Sequence, residues 1–166
     1  MPHISKIRKK ASNTCETLYF MRKSANNGHN AKRYLFSYGT LLPSLAPPEI
    51  KSTVRRLRRV GRGFVRGHLF DLGEYPGAIL TRTGPQIAGQ IFELPDDPEV
   101  LDRLDEYEGF DPANPASSLF VRKRRCVQLQ DGRRFFCWIY SYNRPVTAAR
   151  HLGGGVYSKA RTQQTL

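Results

Sequence analysis

Residues 34–42 read YLFSYGTLL. Tyr34, Leu35, Phe36, Ser37 and Tyr38 are mostly aromatic or otherwise suited to a pleated strand. Gly39 and Thr40 then break the pattern. A strand that runs into Gly-Thr exposes backbone N–H groups at its tip, and glycine lets another molecule approach that backbone closely. Such a nest can hold an anion, either a ligand carboxylate or a developing oxyanion. On this stretch alone, an ordinary turn after a first strand is the simpler account.

A second stretch, residues 99–110, reads EVLDRLDEYEGF. Val100, Leu101, Leu104 and Tyr107 fall at helical spacing, and Gly109 follows as a C-terminal stop. Asp96, Asp97 and Glu99 gather at the start of this helix, where negative charge suits the macrodipole. Pro98 in its first turn is tolerated there.

Between and beyond these two stretches the chain reads mainly as strands. Pro43, Pro47 and Pro48 predict a loop with a short helix starting beyond it. Val54–Val60 reads equally as a helix with an arginine-rich outer face or as an edge strand. Residues 62–71 read as a strand bent at Gly67. Tyr75-Pro76-Gly77 reads as a turn, residues 78–82 as the next strand, and residues 86–94 as another after the Gly84-Pro85 turn. Residues 120–129 and 133–142 form a hairpin around Asp131-Gly132. A two-residue loop there would set Cys126 opposite Cys137 and Arg125 opposite Trp138. Facing thiols read as reduced, small apolar side chains rather than as a redox switch. Arg144-Pro145 is expected to end the sheet, and Gly153-Gly154-Gly155 to be a flexible loop. Strands outnumber helices and their connections are short, which gives an α+β class.

The chain has 166 residues, enough for one domain with a real core. No apolar run is long enough to span a membrane, and the N-terminus lacks the apolar centre of a secretory signal. Cys15, Cys126 and Cys137 are too few and too scattered for a disulfide framework, which points to a reducing, cytoplasmic setting. His3, His29, His68 and His151 do not cluster, and no spacing suggests a metal site. Net charge is +13. Residues 1–33 carry eight Lys/Arg against one Glu, hence +7, and read as a basic extension. The domain is expected over residues 34–145, and residues 146–166 as a C-terminal tail. A short helical segment within the extension is expected at Cys15–Arg22. Lys51, Arg55, Arg56, Arg58, Arg59, Arg62 and Arg66 form a second basic stretch. Such fields attract polyanions and steer small acidic substrates. Weak polyanion binding through the extension is one consequence, although it carries no aromatic platform.

Tyr38-Gly39-Thr40-Leu41, the run Gly67 to Gly77, Gly89 within its strand, Leu101 to Gly109, and Phe120-Val121-Arg122 occur in an order that resembles the gamma-glutamylcyclotransferase-like family. The resemblance spans roughly Tyr34 to Tyr142. It implies a small mixed, mainly antiparallel β-barrel flanked by helices, with a ligand cavity at one end. It also implies a γ-glutamyl cyclotransferase, a metal-independent enzyme without a cofactor. Members of that family release 5-oxoproline and an amine or amino acid from a small anionic γ-glutamyl substrate. By the same resemblance Glu108 is the general acid/base. Its place at a helix end, where carbonyl dipoles disfavour a carboxylate, suits a base. Glu106 is the rival. Tyr38, Gly39, Thr40 and Leu41 match the family's substrate-binding loop, and Tyr75, Arg122 and Tyr142 are expected near it. Phe120 departs from the pattern, since relatives often carry tyrosine two residues before the matching arginine. A different class remains open, a non-catalytic binding module of the same fold that docks on nucleic acid or an acidic partner. So does a relative that removes a γ-glutamyl protecting group in a biosynthetic pathway. The leaving amine and the oligomeric state are left open by these residues.

Overall fold

The computed structural model describes residues 32–158. The expected helical segment at Cys15–Arg22 and most of the basic extension lie outside the described residues. The described chain runs β1 (Arg33–Ser37), α1 (Pro48–Arg55), β2 (Arg58–Asp71), β3 (Pro76–Leu80), β4 (Gln86–Leu94), α2 (Pro98–Tyr107), a 3-10 turn (Pro115–Ser117), β5 (Phe120–Leu129), β6 (Arg134–Tyr142) and β7 (Arg150–His151).

Five strands close into a barrel in the order β2-β4-β1-β6-β5, with β5 returning to β2. Among the described strands, only β1 and β6 pair in parallel, with Tyr34 beside Cys137 and Leu35 beside Trp138. The other described pairings are antiparallel. The mixed, mainly antiparallel barrel with flanking helices is therefore the fold of the protein. Its interior is filled by Phe36, Val65, Leu69, Ile87, Ile91, Val127 and Ile139. A second apolar cluster lies outside the barrel wall, where α1 and α2 bring Ile50, Val54, Val100, Leu101 and Leu104 against Leu35, Phe92 and Tyr140. β1 thus faces one core with Phe36 and the other with Leu35, as the period of a strand requires.

β2 is long because different stretches of it serve different strands. Residues 58–66 pair with β4, and residues 67–71 pair with β3. The ambiguous Val54–Val60 stretch resolves into both expectations, with the helix ending at Arg55 and the strand beginning at Arg58. β3 starts at Pro76 rather than at Ala78. The turn before it is formed by Leu72 to Tyr75, closed by the Leu72 N–H on the Tyr75 carbonyl at 3.1 Å.

The β5–β6 register also differs from expectation. Cys126 faces Phe136 and Arg125 faces Cys137. The Leu129 N–H reaches the Arg133 carbonyl at 2.8 Å and the Gly132 N–H reaches the Leu129 carbonyl at 3.1 Å, so the loop holds one residue more than the two-residue reading. One residue of slip puts the two thiols on opposite faces. Neither cysteine forms a disulfide, and the facing-thiol geometry is absent.

The sheet does not end at Arg144-Pro145. β7 adds to β2, pairing Phe70 with His151 and Asp71 with Arg150. The Gly155 carbonyl then accepts from the Ala88 N–H at 2.8 Å, and Tyr157 is buried in the barrel core. Gly155 is pinned, since a Cβ there would lie 2.0 Å from the Gln86 carbonyl oxygen.

Gly89 marks the tightest crossing of β4 over β1. A Cβ at this position would lie 2.3 Å from the Ser37 carbonyl oxygen and 2.6 Å from Phe36 Cζ. Gly89→Ala is expected to destabilise the fold by about 3 kcal/mol, the upper end for overpacking a well-filled interior. Urea unfolding should register this as a lower midpoint at unchanged slope.

Candidate active site

The strand tip at Tyr38–Leu41, the C-terminal end of α2 and the start of β3 converge on one cavity of about 350 Å³. Tyr38, Gly39, Thr40, Leu41, Tyr75 and Glu108 all line it. So do Tyr107, Tyr140, Phe120, Ser37 and Glu74.

Glu108 reaches the cavity because of how α2 stops. Asp97 caps the start of the helix, its carboxylate accepting the Glu99 N–H at 2.9 Å. At the other end Glu108 is the C-cap residue and Gly109 follows at φ 61°. The Gly109 N–H bonds the Glu106 carbonyl at 3.1 Å, and the Phe110 N–H bonds the Asp105 carbonyl at 2.9 Å. This is a Schellman closure, which glycine accommodates without a Cβ penalty. The buried residues of α2 are Val100, Leu101, Leu104 and Asp105. Glu108 continues that face one turn on, toward the barrel. Glu106 points away, pairing with Arg103 at 2.6 Å with its side chain 70% exposed. The structure therefore separates the two rival carboxylates.

Glu108 is half-buried and lines the cavity. Burial pushes its pKa up to about 8. The charge it carries when ionised is felt by Tyr38, Tyr75, Tyr107 and Tyr140, all of which titrate above the usual phenol range chiefly because of burial and then, among other causes, because of Glu108. Three of these hydroxyls are committed. Tyr38 donates to the Tyr140 carbonyl at 2.7 Å and accepts from the Ala78 N–H at 3.2 Å. Tyr140 donates to Asp105 at 2.6 Å. Tyr107 shares a hydrogen bond with Thr40. Tyr75 has no such partner among the described residues, which leaves its hydroxyl for a ligand.

The Tyr38–Leu41 turn is held by the Leu42 N–H on the Gly39 carbonyl at 2.9 Å. Among the described residues no backbone carbonyl takes the N–H groups of Gly39, Thr40 or Leu41. These donors are available at the cavity wall, as expected of a strand tip that binds an anion. Gly39 is fixed by packing, because a Cβ there would lie 2.5 Å from Pro76 Cγ.

Arg122 and Tyr142, expected among the substrate-binding residues, are not on this wall. The Arg122 guanidinium turns to Asp105 at 2.7 Å and lies over the Trp138 ring at 4.7 Å. Tyr142 instead borders an adjoining open depression of about 630 Å³, together with Tyr75, Asp71 and Arg150. Its ring packs on Phe120 at 5.3 Å, and Phe120 packs on Tyr75 at 5.9 Å. Arg122 and Tyr142 thus lie behind Tyr140, Phe120 and Tyr75.

The sequence reading did not single out Tyr140 or Asp105. Asp105 carried a signal, since it sits beside Leu104 and four residues after Leu101 on the apolar face of α2. A carboxylate in that position demands partners, and Arg122 and Tyr140 are those partners. Tyr140 carried only the alternation of its strand. No group of three or more potential metal-ligating side chains occurs among the described residues.

The barrel and its cavity place the protein in a structural class with known members. An AIG2-like protein from Mus musculus superposes with a TM-score of 0.59 at 20% identity, over 78% of this chain and 90% of that one. A gamma-glutamyl cyclotransferase superposes with a TM-score of 0.52 at 16% identity, over 73% and 70%. An uncharacterized protein from Pyrococcus horikoshii does so with a TM-score of 0.52 at 14% identity, over 78% and 92%. At these identities the likeness is one of fold. No curated protein matches the chain. The family model described as gamma-glutamyl cyclotransferase, AIG2-like, matches residues 35–159. The chain belongs to that family. No helix among the described residues is long and apolar enough to cross a membrane.

Proposed function

We propose that the protein is a γ-glutamyl cyclotransferase, converting a γ-glutamyl compound to 5-oxoproline and a free amine or amino acid. The observation that carries this reading is Glu108, a carboxyl whose pKa burial raises to about 8, set in the same cavity as the uncommitted N–H groups of Gly39, Thr40 and Leu41. Family membership over residues 35–159 supports it.

The reaction needs few groups because the nucleophile is part of the substrate. Well-oriented intramolecular reactions reach effective molarities of about 10⁵–10⁸ M. Ionised Glu108 takes a proton from the substrate ammonium. The freed amine attacks the γ-carbonyl carbon, forming the ring C–N bond and a tetrahedral oxyanion. The N–H groups of the Gly39–Leu41 turn act as its donors. The leaving nitrogen takes the proton held by Glu108, and the ring nitrogen gives its second surplus proton to the Glu108 carboxylate. The oxyanion collapses, the bond from the γ-carbon to the leaving nitrogen breaks, and Glu108 passes this second proton to the departing amine, which leaves as an ammonium while Glu108 returns to its ionised form without water entering the reaction. The Tyr75 hydroxyl acts as a further donor to the glutamyl unit, and Phe120 forms an apolar part of the wall. Tyr75→Phe is expected to lower kcat/KM about tenfold, the cost of roughly one hydrogen bond in the site, with thermal stability unchanged.

The test is 5-oxoproline release from a panel of γ-glutamyl amino acids, glutathione and γ-glutamyl-ε-lysine. Release from at least one member by the wild type, unaffected by EDTA, is the expected result. Activity lost on chelation would contradict the mechanism. Hydrolysis to free glutamate in place of 5-oxoproline would overturn it.

A further inference from the structure

The basic stretch over residues 51–66 does not form one continuous field. Arg56 is paired with Asp97 and Arg58 with Glu93. Beyond that point β2 alternates. Gly63, Val65, Gly67 and Leu69 are buried, so Arg62, Phe64 and Arg66 turn outward. Same-face residues of a strand repeat every 6.6 Å or so, which gives a ridge of cation, aromatic and cation.

Among the described residues, nothing on either flank neutralises this ridge. On β4 its neighbours are Gln90, Ala88 and Gln86. On β5 the residue beside Phe64 is Gln128, and beside Gln128 on β6 stands Arg134. None of Arg62, Arg66 and Arg134 takes part in an ion pair among the described residues. Arg66 also donates to the Gly84 carbonyl at 2.7 Å. The same outer face continues along β6. There Arg124 lies over Trp138 at 4.2 Å and over Phe136 at 5.5 Å, a second place where a cation and an aromatic face are stacked.

The geometry points to this outer face of β2, β5 and β6 as a docking surface for single-stranded nucleic acid, apart from the cavity and independent of its chemistry. Arginines at strand spacing would follow the phosphates, and Phe64 between them would take a base. Sequence-tolerant binding of single strands rests on this combination of a cationic track and aromatic faces. The commitment is to a single strand. A duplex offers its phosphates but keeps its bases stacked inside, where Phe64 has nothing to meet. An anionic lipid surface offers charge without a planar partner.

The test uses the full chain and a labelled oligouridylate about a dozen nucleotides long, with fluorescence anisotropy read over a salt series. Inorganic polyphosphate and a duplex of equal length are the comparison ligands. Arg62→Gln with Arg66→Gln should lower the steepness of log K against log salt by about 1.4. Phe64→Ala should weaken oligouridylate at least about fivefold and leave polyphosphate unchanged. Phe64→Leu keeps apolar bulk and, with thermal melting alongside, separates loss of stacking from loss of fold. It should weaken oligouridylate in the same way. Affinity and salt slope untouched by the double arginine variant would assign binding to the basic extension and overturn the proposal. So would duplex binding as tight as single-strand binding, an equal loss of both ligands at Phe64, or no binding at all.

Discussion

Glu108→Gln should leave a folded protein with at least about a thousandfold less 5-oxoproline release. General acid–base catalysis contributes roughly 10²–10⁴-fold, and here one carboxyl is asked to act in both directions. Glutamine keeps the shape of the position and removes the proton transfer. Glu106→Gln is the matched control, since that side chain is exposed and tied to Arg103 at 2.6 Å. It should retain nearly full activity. The opposite pattern would move the base to Glu106.

The pH dependence of the same pair follows from burial. The base must be ionised, and its pKa in the unliganded protein lies near 8. kcat/KM should therefore climb about tenfold per pH unit from pH 6 and level off near pH 8. A bound ammonium beside the carboxylate favours the charged form, so the corresponding limb of kcat should lie at lower pH. A kcat/KM profile flat across this range would remove Glu108 as the titrating base. Stability carries the reverse sign. The folded carboxyl titrates above its ordinary value of 4.5, so the native state holds a proton that the unfolded chain releases first. The wild type should lose stability relative to Glu108→Gln as pH rises from about 4.5 to about 8, by at most about 5 kcal/mol. Melting curves of the two proteins at pH 5 and pH 9 would show whether the gap opens in that direction.

The features legible in the sequence were those written in local chemistry. Asp97, Pro98 and Gly109 delimit α2, and the Gly84-Pro85 turn sets off the strand from Gln86 to Leu94. The strand tip at Gly39-Thr40 and the acid before Gly109 were readable as two halves of a site only through the family resemblance. Nothing local says that residues so far apart in sequence converge. What escaped was set by partners. Asp131-Gly132 marks a hairpin but does not count its loop, and one extra residue moved every facing pair. β7 is two residues long and exists because the edge of β2 accepts it. Arg122 was visible as a charge near the site, yet its direction is decided by Asp105, one turn before the catalytic candidate.

That pairing gives the last large effect, on stability. Asp105 is buried on α2, accepts the Tyr140 hydroxyl at 2.6 Å and meets Arg122 at 2.7 Å. Burial holds its pKa above the usual carboxylate range even though both partners pull it down. The pair is thus a structural clamp rather than a strongly favourable ion pair, and removing one half should cost more than removing both. Asp105→Ala strands the Arg122 guanidinium, whose side chain is only 16% exposed, and leaves the Tyr140 hydroxyl without its acceptor. The expected loss is about 3 kcal/mol, the low end for breaking a buried pair because Arg122 retains its stacking on Trp138. Asp105→Leu combined with Arg122→Met should recover the share owed to the stranded guanidinium, since well-packed apolar residues replace a buried pair at little cost, while the Tyr140 hydroxyl stays without its acceptor. Activity should not follow stability. The clamp fixes the last turn of α2 against β5 and β6, and that turn carries Glu108. The double variant, folded but without the clamp, should show kcat reduced more than KM is raised. Recovery of stability together with full kcat would show that the clamp serves the fold alone.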